Sequence, residues 1–196
     1  RPAEEGISRE TPSRAEFLAV FRTRAVWAVC GMGMAAFALY LFLNSWLPSF
    51  LVAQLDATEA TAGLLAALFP AVGVVARTSG GALSDRVFGG RRRPVALLSF
   101  AVAGPVVVAL LFVDAVGPVV ALILLAGAAI QLAIGLLFSY VREVVPEAVA
   151  ATAVSLLTSV ALFGAFVAPI AAGALIEATG TFEAAFFAAG GVAVLG

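Results

Sequence analysis

After residue 24 the sequence is a series of long apolar stretches separated by short polar breaks. Five of the stretches reach the roughly 20 residues that an α-helix needs to cross about 30 Å of hydrocarbon. Only 12% of the residues are charged, against about 25% in soluble domains. Because lipid cannot hydrogen-bond an open backbone, we expect an all-α, polytopic membrane protein whose main contact is the lipid bilayer. The predicted spans cover residues 25–51, 60–80, 94–113, 117–140 and 148–175, and a sixth begins near Phe182.

The chain divides into a polar leader, residues 1–24, and a transmembrane unit, residues 25–196. In the leader, Ser13 and Glu16 have the spacing of a capping box, which predicts a short helix lying on the membrane surface ahead of the first span. The sixth stretch ends at Gly196 after 15 residues, or about 22 Å of helix. We therefore expect six transmembrane helices, the last of them truncated, in a fragment of a longer protein.

The basic residues of this chain are all Arg, and they occur in the leader and at every second break between the predicted spans. Flanks that carry Arg stay in the cytoplasm. The leader, the 81–94 loop and the 141–147 loop are therefore predicted to be cytoplasmic in the cell membrane, and the other breaks, which carry only acidic charges, to lie outside. The leader holds Arg1, Arg9, Arg14, Arg22 and Arg24, the region of the second break holds Arg77, Arg86, Arg91, Arg92 and Arg93, and the fourth break holds Arg142.

Composition excludes several kinds of catalytic and binding site. The chain has no His and a single Cys, Cys30, so it cannot build a His-based triad, a Cys–His dyad or an internal disulfide. A zinc site would need carboxylates alone, and no span carries paired catalytic groups. The net charge of −1 gives no case for nucleic acid as a partner. We expect neither an enzyme nor a bound cofactor or metal.

Polar side chains concentrate in the first, second, fourth and fifth spans, whereas the third and sixth spans are almost wholly apolar. This distribution predicts two three-helix repeats around a polar cavity for a small-molecule substrate, with the third helix of each repeat facing lipid. The candidate cavity residues are Tyr40, Asn44, Arg77, Gln131 and Thr158.

Four of these candidates have a second interpretation. Gln131 shares a helix face with two glycines, so it either lines the cavity or hydrogen-bonds within a close helix contact. Tyr40 and Asn44 either face the cavity together or serve as an interfacial aromatic and a helix-end hydrogen bond. Arg77 follows a charge-free run of 17 residues and either binds an anion or snorkels to the cytoplasmic interface.

The second break has a dense pattern of glycine and charge. It fits G-x-x-x-D-R-x-G-R-R apart from one extra residue, and it resembles the signature loop of the major facilitator superfamily. The resemblance implies one six-helix half of a twelve-helix fold, a secondary transporter whose two halves work by alternating access. The C-terminal half is the better match, and the N-terminal half is the alternative. We expect the loop to act as a gate in which Asp85 caps a helix of the other half. The matching residues are Gly81, Asp85, Arg86, Gly90, Arg91 and Arg92.

The stretch from Gly73 to Arg86 resembles the nitrate/nitrite porter branch of that family, in which the residue matching Arg77 binds the anion. We therefore expect a proton- or gradient-coupled symporter or antiporter for a small solute, with small anions such as nitrate or nitrite preferred. No carboxylate lies mid-span, so a coupling acid must come from the other six-helix half, or else the mechanism is exchange or uniport. The alternative function is that of a non-transporting six-span partner or anchor protein.

Overall fold

The computed structural model describes residues 13–87 and 89–195, and this part of the chain consists of helices and short connections without a strand. Five of its helices are long and apolar enough to cross a membrane, and a shorter apolar helix follows them. The predicted all-α, polytopic fold is confirmed. The helices are α1 Arg14–Arg22, α2 Arg24–Leu55, α3 Glu59–Val87, α4 Arg92–Ala109, α5 Val116–Glu143, α6 Ala150–Thr179 and α7 Glu183–Leu195, with 3-10 turns at Leu110–Phe112 and Glu147–Val149.

The short helix predicted in the leader is α1. It begins with the expected capping box, because Ser13 N–H donates to Glu16 Oε2 at 2.8 Å and Glu16 N–H donates to Ser13 Oγ at 3.2 Å. The hydrogen bonds from the Ser13 backbone and side chain lower the pKa of Glu16 by stabilising the carboxylate. Trp27 Nε1 donates to Phe21 O at 2.8 Å and fixes α1 against the start of α2. The position of α1 on the membrane surface stays a prediction, and residues 1–12 of the leader lie outside the described part.

Helix α3 is longer than the sequence predicts. The second break was expected from residue 81, but the helix continues to Val87. The chain turns instead at Gly89 and Gly90, whose φ values of 58° and 82° suit glycine. Gly90 N–H donates to Ser84 O at 3.0 Å and closes the end of the helix. A helical turn that carries charged side chains can continue into water, because its backbone groups still hydrogen-bond within the helix. The change from apolar to polar residues therefore predicts where the chain leaves the bilayer, and not where the helix ends.

The four central helices form two pairs, α3 with α5 and α2 with α6. In each pair the contacting residues advance in the same order along both helices, so the pairs are parallel. The remaining long span, α4, packs against α5 and α7. Because lipid gives apolar helices little reason to associate, such pairs depend on close backbone approach and on interhelical hydrogen bonds.

Glycine brings α5 onto the backbone of α3. A Cβ on Gly127 would lie 2.7 Å from Phe69 O, which is too close for any other residue. One turn further along α5, Gln131 Nε2 donates to Phe69 O at 2.7 Å. The Gln131 amide fills the space that Gly73 leaves by lacking a side chain. The α3–α5 contact therefore combines a small residue on each helix with one buried hydrogen bond.

The α2–α6 pair has the same arrangement. Trp46 Nε1 donates to Pro169 O at 3.0 Å. The indole lies over Gly173, where a Cβ would be 3.0 Å from Trp46 Cζ2. In both pairs, the glycine that the donor side chain packs against comes four residues after the carbonyl that accepts the hydrogen bond. Gly73 follows Phe69 in α3, and Gly173 follows Pro169 in α6. This correspondence relates α2 to α5 and α3 to α6, as two three-helix repeats require.

The least buried spans are α3 and α6. In the most apolar stretch of 18 residues, 22% of the residues are buried in α3 and 22% in α6, whereas 44% are buried in α4. The sequence predicts that the third and sixth spans face lipid, because they lack polar groups. In the structure, helices pack closely where they carry small residues. Helices α4 and α7, for example, meet where Gly104 faces Gly190. The exposed faces of α3 and α6 carry large apolar side chains: Leu64, Val74, Val75, Leu162, Phe163, Phe166 and Ile170.

The contact between Gln131 and Gly73 predicts coupled stabilities. Gly73→Ala places a methyl group where the Gln131 amide lies, so it should lower the melting temperature. In a Gln131→Ala background the same change meets an empty space and should have little further effect. Gln131→Ala alone should cost about 0.6–1.7 kcal/mol, the usual range for an interhelical hydrogen bond in a membrane protein. Thermal unfolding in detergent, followed by tryptophan fluorescence, measures the coupling, and strictly additive losses would contradict the contact.

Candidate functional site

Arg77 and Tyr40 meet across the interface of α3 and α2. The Arg77 Cζ atom lies 5.2 Å from the centroid of the Tyr40 ring, which is a cation–π distance. Tyr40 is half-buried, and its ring lies 5.8 Å from the ring of Phe69, whereas Arg77 is exposed. The Tyr40 ring therefore packs against α3, and the Arg77 guanidinium lies over this ring.

This contact places the Arg77 guanidinium well inside the span. Tyr40 lies 16 residues after Arg24, the first residue of α2, or about 24 Å along the helix. Helical side chains tilt toward the N-terminus of their helix, and the N-terminus of α3 is the end opposite to the Arg-bearing connection. The Arg77 side chain is therefore directed away from the Arg-bearing connection and toward Tyr40. Both interpretations of Arg77, as an anion ligand and as a snorkelling anchor, stay predictions.

Asn44 lies one turn beyond Tyr40, and Thr158 lies on α6. Asn44 is exposed and donates through Nδ2 to Tyr40 O at 2.8 Å. Thr158 is half-buried and donates through Oγ1 to Val154 O at 2.8 Å. Asn44 is thus on the same helix as Tyr40, one turn away and bonded to its backbone carbonyl, whereas Thr158 belongs to a helix that does not contribute to the Tyr40–Arg77 pair. We call Arg77, Tyr40 and Asn44 the Arg77 site.

Gln131 does not line a cavity. Its residue is 2% exposed, and its amide donates to Phe69 O between α5 and α3. The assignment of Gln131 to the cavity was therefore wrong, and the packing alternative is right, because glycines on either side let the two helices enclose the amide. One of these glycines, Gly135, lies directly behind the Arg77 site, where its Cβ would be 2.5 Å from Arg77 O.

The predicted signature loop is held together by Arg92, which joins the ends of three helices. Arg92 Nε donates to Glu143 Oε1 of α5 at 3.0 Å, and Arg92 Nη2 lies 3.7 Å from Asp85 Oδ1 of α3. The Arg92 side chain is 16% exposed, whereas that of Asp85 is 62% exposed. Of the predicted loop residues, Gly81, Asp85 and Arg86 lie in the last two turns of α3, Gly90 and Arg91 form the connection, and Arg92 opens α4.

Sequence reasoning missed Glu143 as a site residue. It is separated from Arg92 by 51 residues, so no local pattern links them. The available signal was an acidic residue at the predicted cytoplasmic end of a span, on the same side as the Arg cluster. Even with this additional charge, no group of three His, Cys, Asp or Glu residues that could hold a metal ion occurs within residues 13–87 and 89–195.

Comparison with known proteins bears on both sites. The sequence model of the Major Facilitator Superfamily matches residues 28–196, which include the Arg77 site and the whole signature loop. The "Nitrite extrusion protein" of Bacillus subtilis (strain 168) is 31% identical to this chain over 91 residues. The aligned stretch covers 46% of this chain and 22% of that protein, so the similarity spans less than a quarter of the relative's length.

Proposed function

The chain belongs to the Major Facilitator Superfamily, and we propose that it is one half of a secondary transporter that moves a small anion by alternating access. The observation that carries the proposal is the Arg77 guanidinium, which rests on Tyr40 within the span. A cation inside the hydrocarbon region is costly unless a counter-charge accompanies it. A transported anion supplies that counter-charge whenever the site is loaded, which gives the protein a physical reason to bind it there.

The chemistry of the Arg77 site suits a small planar oxyanion. The Arg77 Cζ atom lies over the Tyr40 ring, and the N–H donors of a guanidinium lie in one plane, where they can form two parallel hydrogen bonds with a planar acceptor. Asn44 adds an exposed amide one turn away. Nitrate and nitrite are planar oxyanions, and the name of the Bacillus subtilis relative refers to nitrite extrusion. We therefore assign nitrate or nitrite as the first substrates to test.

The other six-helix half belongs, in this proposal, against the exposed faces of α3 and α6. These faces present large apolar side chains such as Leu64 and Phe166, which a second helical half would cover. No Asp or Glu lies mid-span in this chain, so a proton-coupling carboxylate would come from the other half. Exchange of one anion for another, or uniport, requires no such group.

Arg77→Lys is the sharpest test of the anion role. Lys keeps the charge but replaces the planar fork with a single ammonium, so an anion ligand should lose affinity while a snorkelling anchor should tolerate the change. Hydrogen bonds to charged groups contribute about 1.5–3 kcal/mol. We therefore expect KM for nitrate or nitrite to rise about tenfold or more. The measurement is saturable uptake by vesicles that contain the native full-length protein.

Arg93→Lys is the matched control for this experiment. Arg93 is an exposed guanidinium in the first turn of α4, outside both the Arg77 site and the signature pattern, so its KM should equal that of the wild type. Wild-type KM for every transported anion in Arg77→Lys would remove the binding role and the reason for preferring an anionic substrate. Wild-type vesicles without any saturable flux would instead favour the non-transporting alternative.

We further propose that the protein lies in the cell membrane with the leader, residues 1–24, and the α3–α4 and α5–α6 connections in the cytoplasm. Apart from Arg77, every Arg lies in or beside these segments. In a Cys30→Ser background, a Cys at Gly90 should react with an impermeant thiol reagent only after the membrane is opened, and a Cys at Asp114 should react in intact cells. The reverse pattern of labelling would invert the topology.

Asp85 is proposed as a gate that caps a helix of the other half in one conformation. Its carboxylate is 62% exposed and its contact with Arg92 is long, 3.7 Å, so it is available to a second partner. A cap of about 0.3–2 kcal/mol moves a balanced equilibrium by up to a few tens-fold. Asp85→Asn should therefore shift the conformer populations, measured by distances between spin labels, with little change in melting temperature. Glu143→Gln, which weakens the 3.0 Å bond to Arg92, should lower the melting temperature instead. Unchanged populations in Asp85→Asn would rule out the gate.

A further inference from the structure

We propose that Gly135 on α5 is a positioning residue for anion binding, which sets the place of the Arg77 guanidinium from behind α3. The inference rests on the anion role of Arg77 proposed above. A Cβ on Gly135 would lie 2.5 Å from Arg77 O, 3.0 Å from Arg77 Cα and 3.1 Å from Arg77 C. All three are backbone atoms, which cannot rotate aside as a flexible side chain can. Any residue other than glycine therefore displaces α3 at Arg77 itself.

Arg77 is confined from two directions. Helix α5 meets its backbone at Gly135, and helix α2 meets its guanidinium through the Tyr40 ring at 5.2 Å. The position of α3 along α5 is fixed two turns away, where Gln131 Nε2 donates to Phe69 O at 2.7 Å. Gly135 thus sets the distance between the helices at the site, and Gln131 sets their register. Together they decide where the donors of the guanidinium point.

A second glycine makes an equally close backbone contact away from the Arg77 site. A Cβ on Gly164 would lie 2.6 Å from Met34 O in the α2–α6 pair. Alanine at either glycine should strain the helix packing to a similar degree. Only at Gly135 does the strained backbone carry the anion-binding side chain. In enzymes, misplacing a functional group by about 1 Å can cost about 100-fold in rate.

The test compares Gly135→Ala with Gly164→Ala in vesicles that contain the native full-length protein, with nitrate and nitrite as probes. We expect KM to rise at least fivefold in Gly135→Ala, with Vmax per folded molecule close to that of the wild type. KM should stay within twofold of wild type in Gly164→Ala, although the melting temperatures of both variants fall by comparable amounts. A rise in KM shared by both variants would indicate general loosening and would overturn the positioning role.

Arg77→Lys separates this inference from the proposed function. If Gly135 acts through Arg77, adding Gly135→Ala to Arg77→Lys should raise KM less than twofold further. A full additional increase overturns the positioning role and leaves the anion role intact. If KM is that of the wild type in Gly135→Ala but raised in Arg77→Lys, the positioning role is likewise overturned and the anion role stands. Wild-type KM in Arg77→Lys overturns the proposed function and this inference with it.

Binding to purified protein provides a second readout if Gly135→Ala inserts too poorly for uptake measurements. A ligand that binds the native state raises its melting temperature according to the ratio of ligand concentration to Kd. The nitrate concentration needed for a given rise should increase at least fivefold in Gly135→Ala and should be unchanged in Gly164→Ala. Equal concentration dependence in the two variants overturns the inference.

Discussion

Direct contact between the backbones of parallel helices is the constraint on which the rest of this structure depends. In lipid, an apolar side chain gains little by leaving the acyl chains for another helix, so association requires close packing and hydrogen bonds between helices. Here both occur at the same points. A donor side chain reaches a backbone carbonyl beside a glycine of the opposite helix, Gln131 at Phe69 in the α3–α5 pair and Trp46 at Pro169 in the α2–α6 pair. The other helices are then placed by their connections and by contacts with these pairs.

The features that sequence predicts well are those decided locally or by the solvent. A chain that must cross hydrocarbon has little choice but helix, and the Ser13–Glu16 capping box needs only a spacing of three residues. Pairing between distant residues is different. A Gln flanked by glycines looks the same in sequence whether it faces a cavity or a neighbouring helix, and only the fold brings Gln131 to a carbonyl 62 residues away. The bond between Arg92 and Glu143 was missed for the same reason, since 51 residues separate its partners.

Two arginines of this chain illustrate how environment gives one side chain two roles. Arg92 lies where the ends of α3, α4 and α5 meet, and Glu143 and Asp85 are close enough there to balance its charge. Arg77 lies on the same helix as Asp85 but points away from that end, and the structure places an aromatic ring next to it. Arg92 therefore serves to hold helix ends together, whereas Arg77, in the proposed function, retains donors for a ligand.

The same backbone contacts constrain how an anion would be released during alternating access. Tyr40, Arg77 and the Gly135 contact all lie within this one half, and α3 and α5 are joined at Gly135 by packing with no room for another side chain. Such packed contacts tend to keep one arrangement, since interiors at this density do not deform continuously. In the proposed mechanism the Arg77 site therefore keeps its geometry while the two halves rock. Access would then change at the exposed faces of α3 and α6, where the other half moves, and the anion would leave through the opening side instead of being expelled by a rearrangement of its ligands.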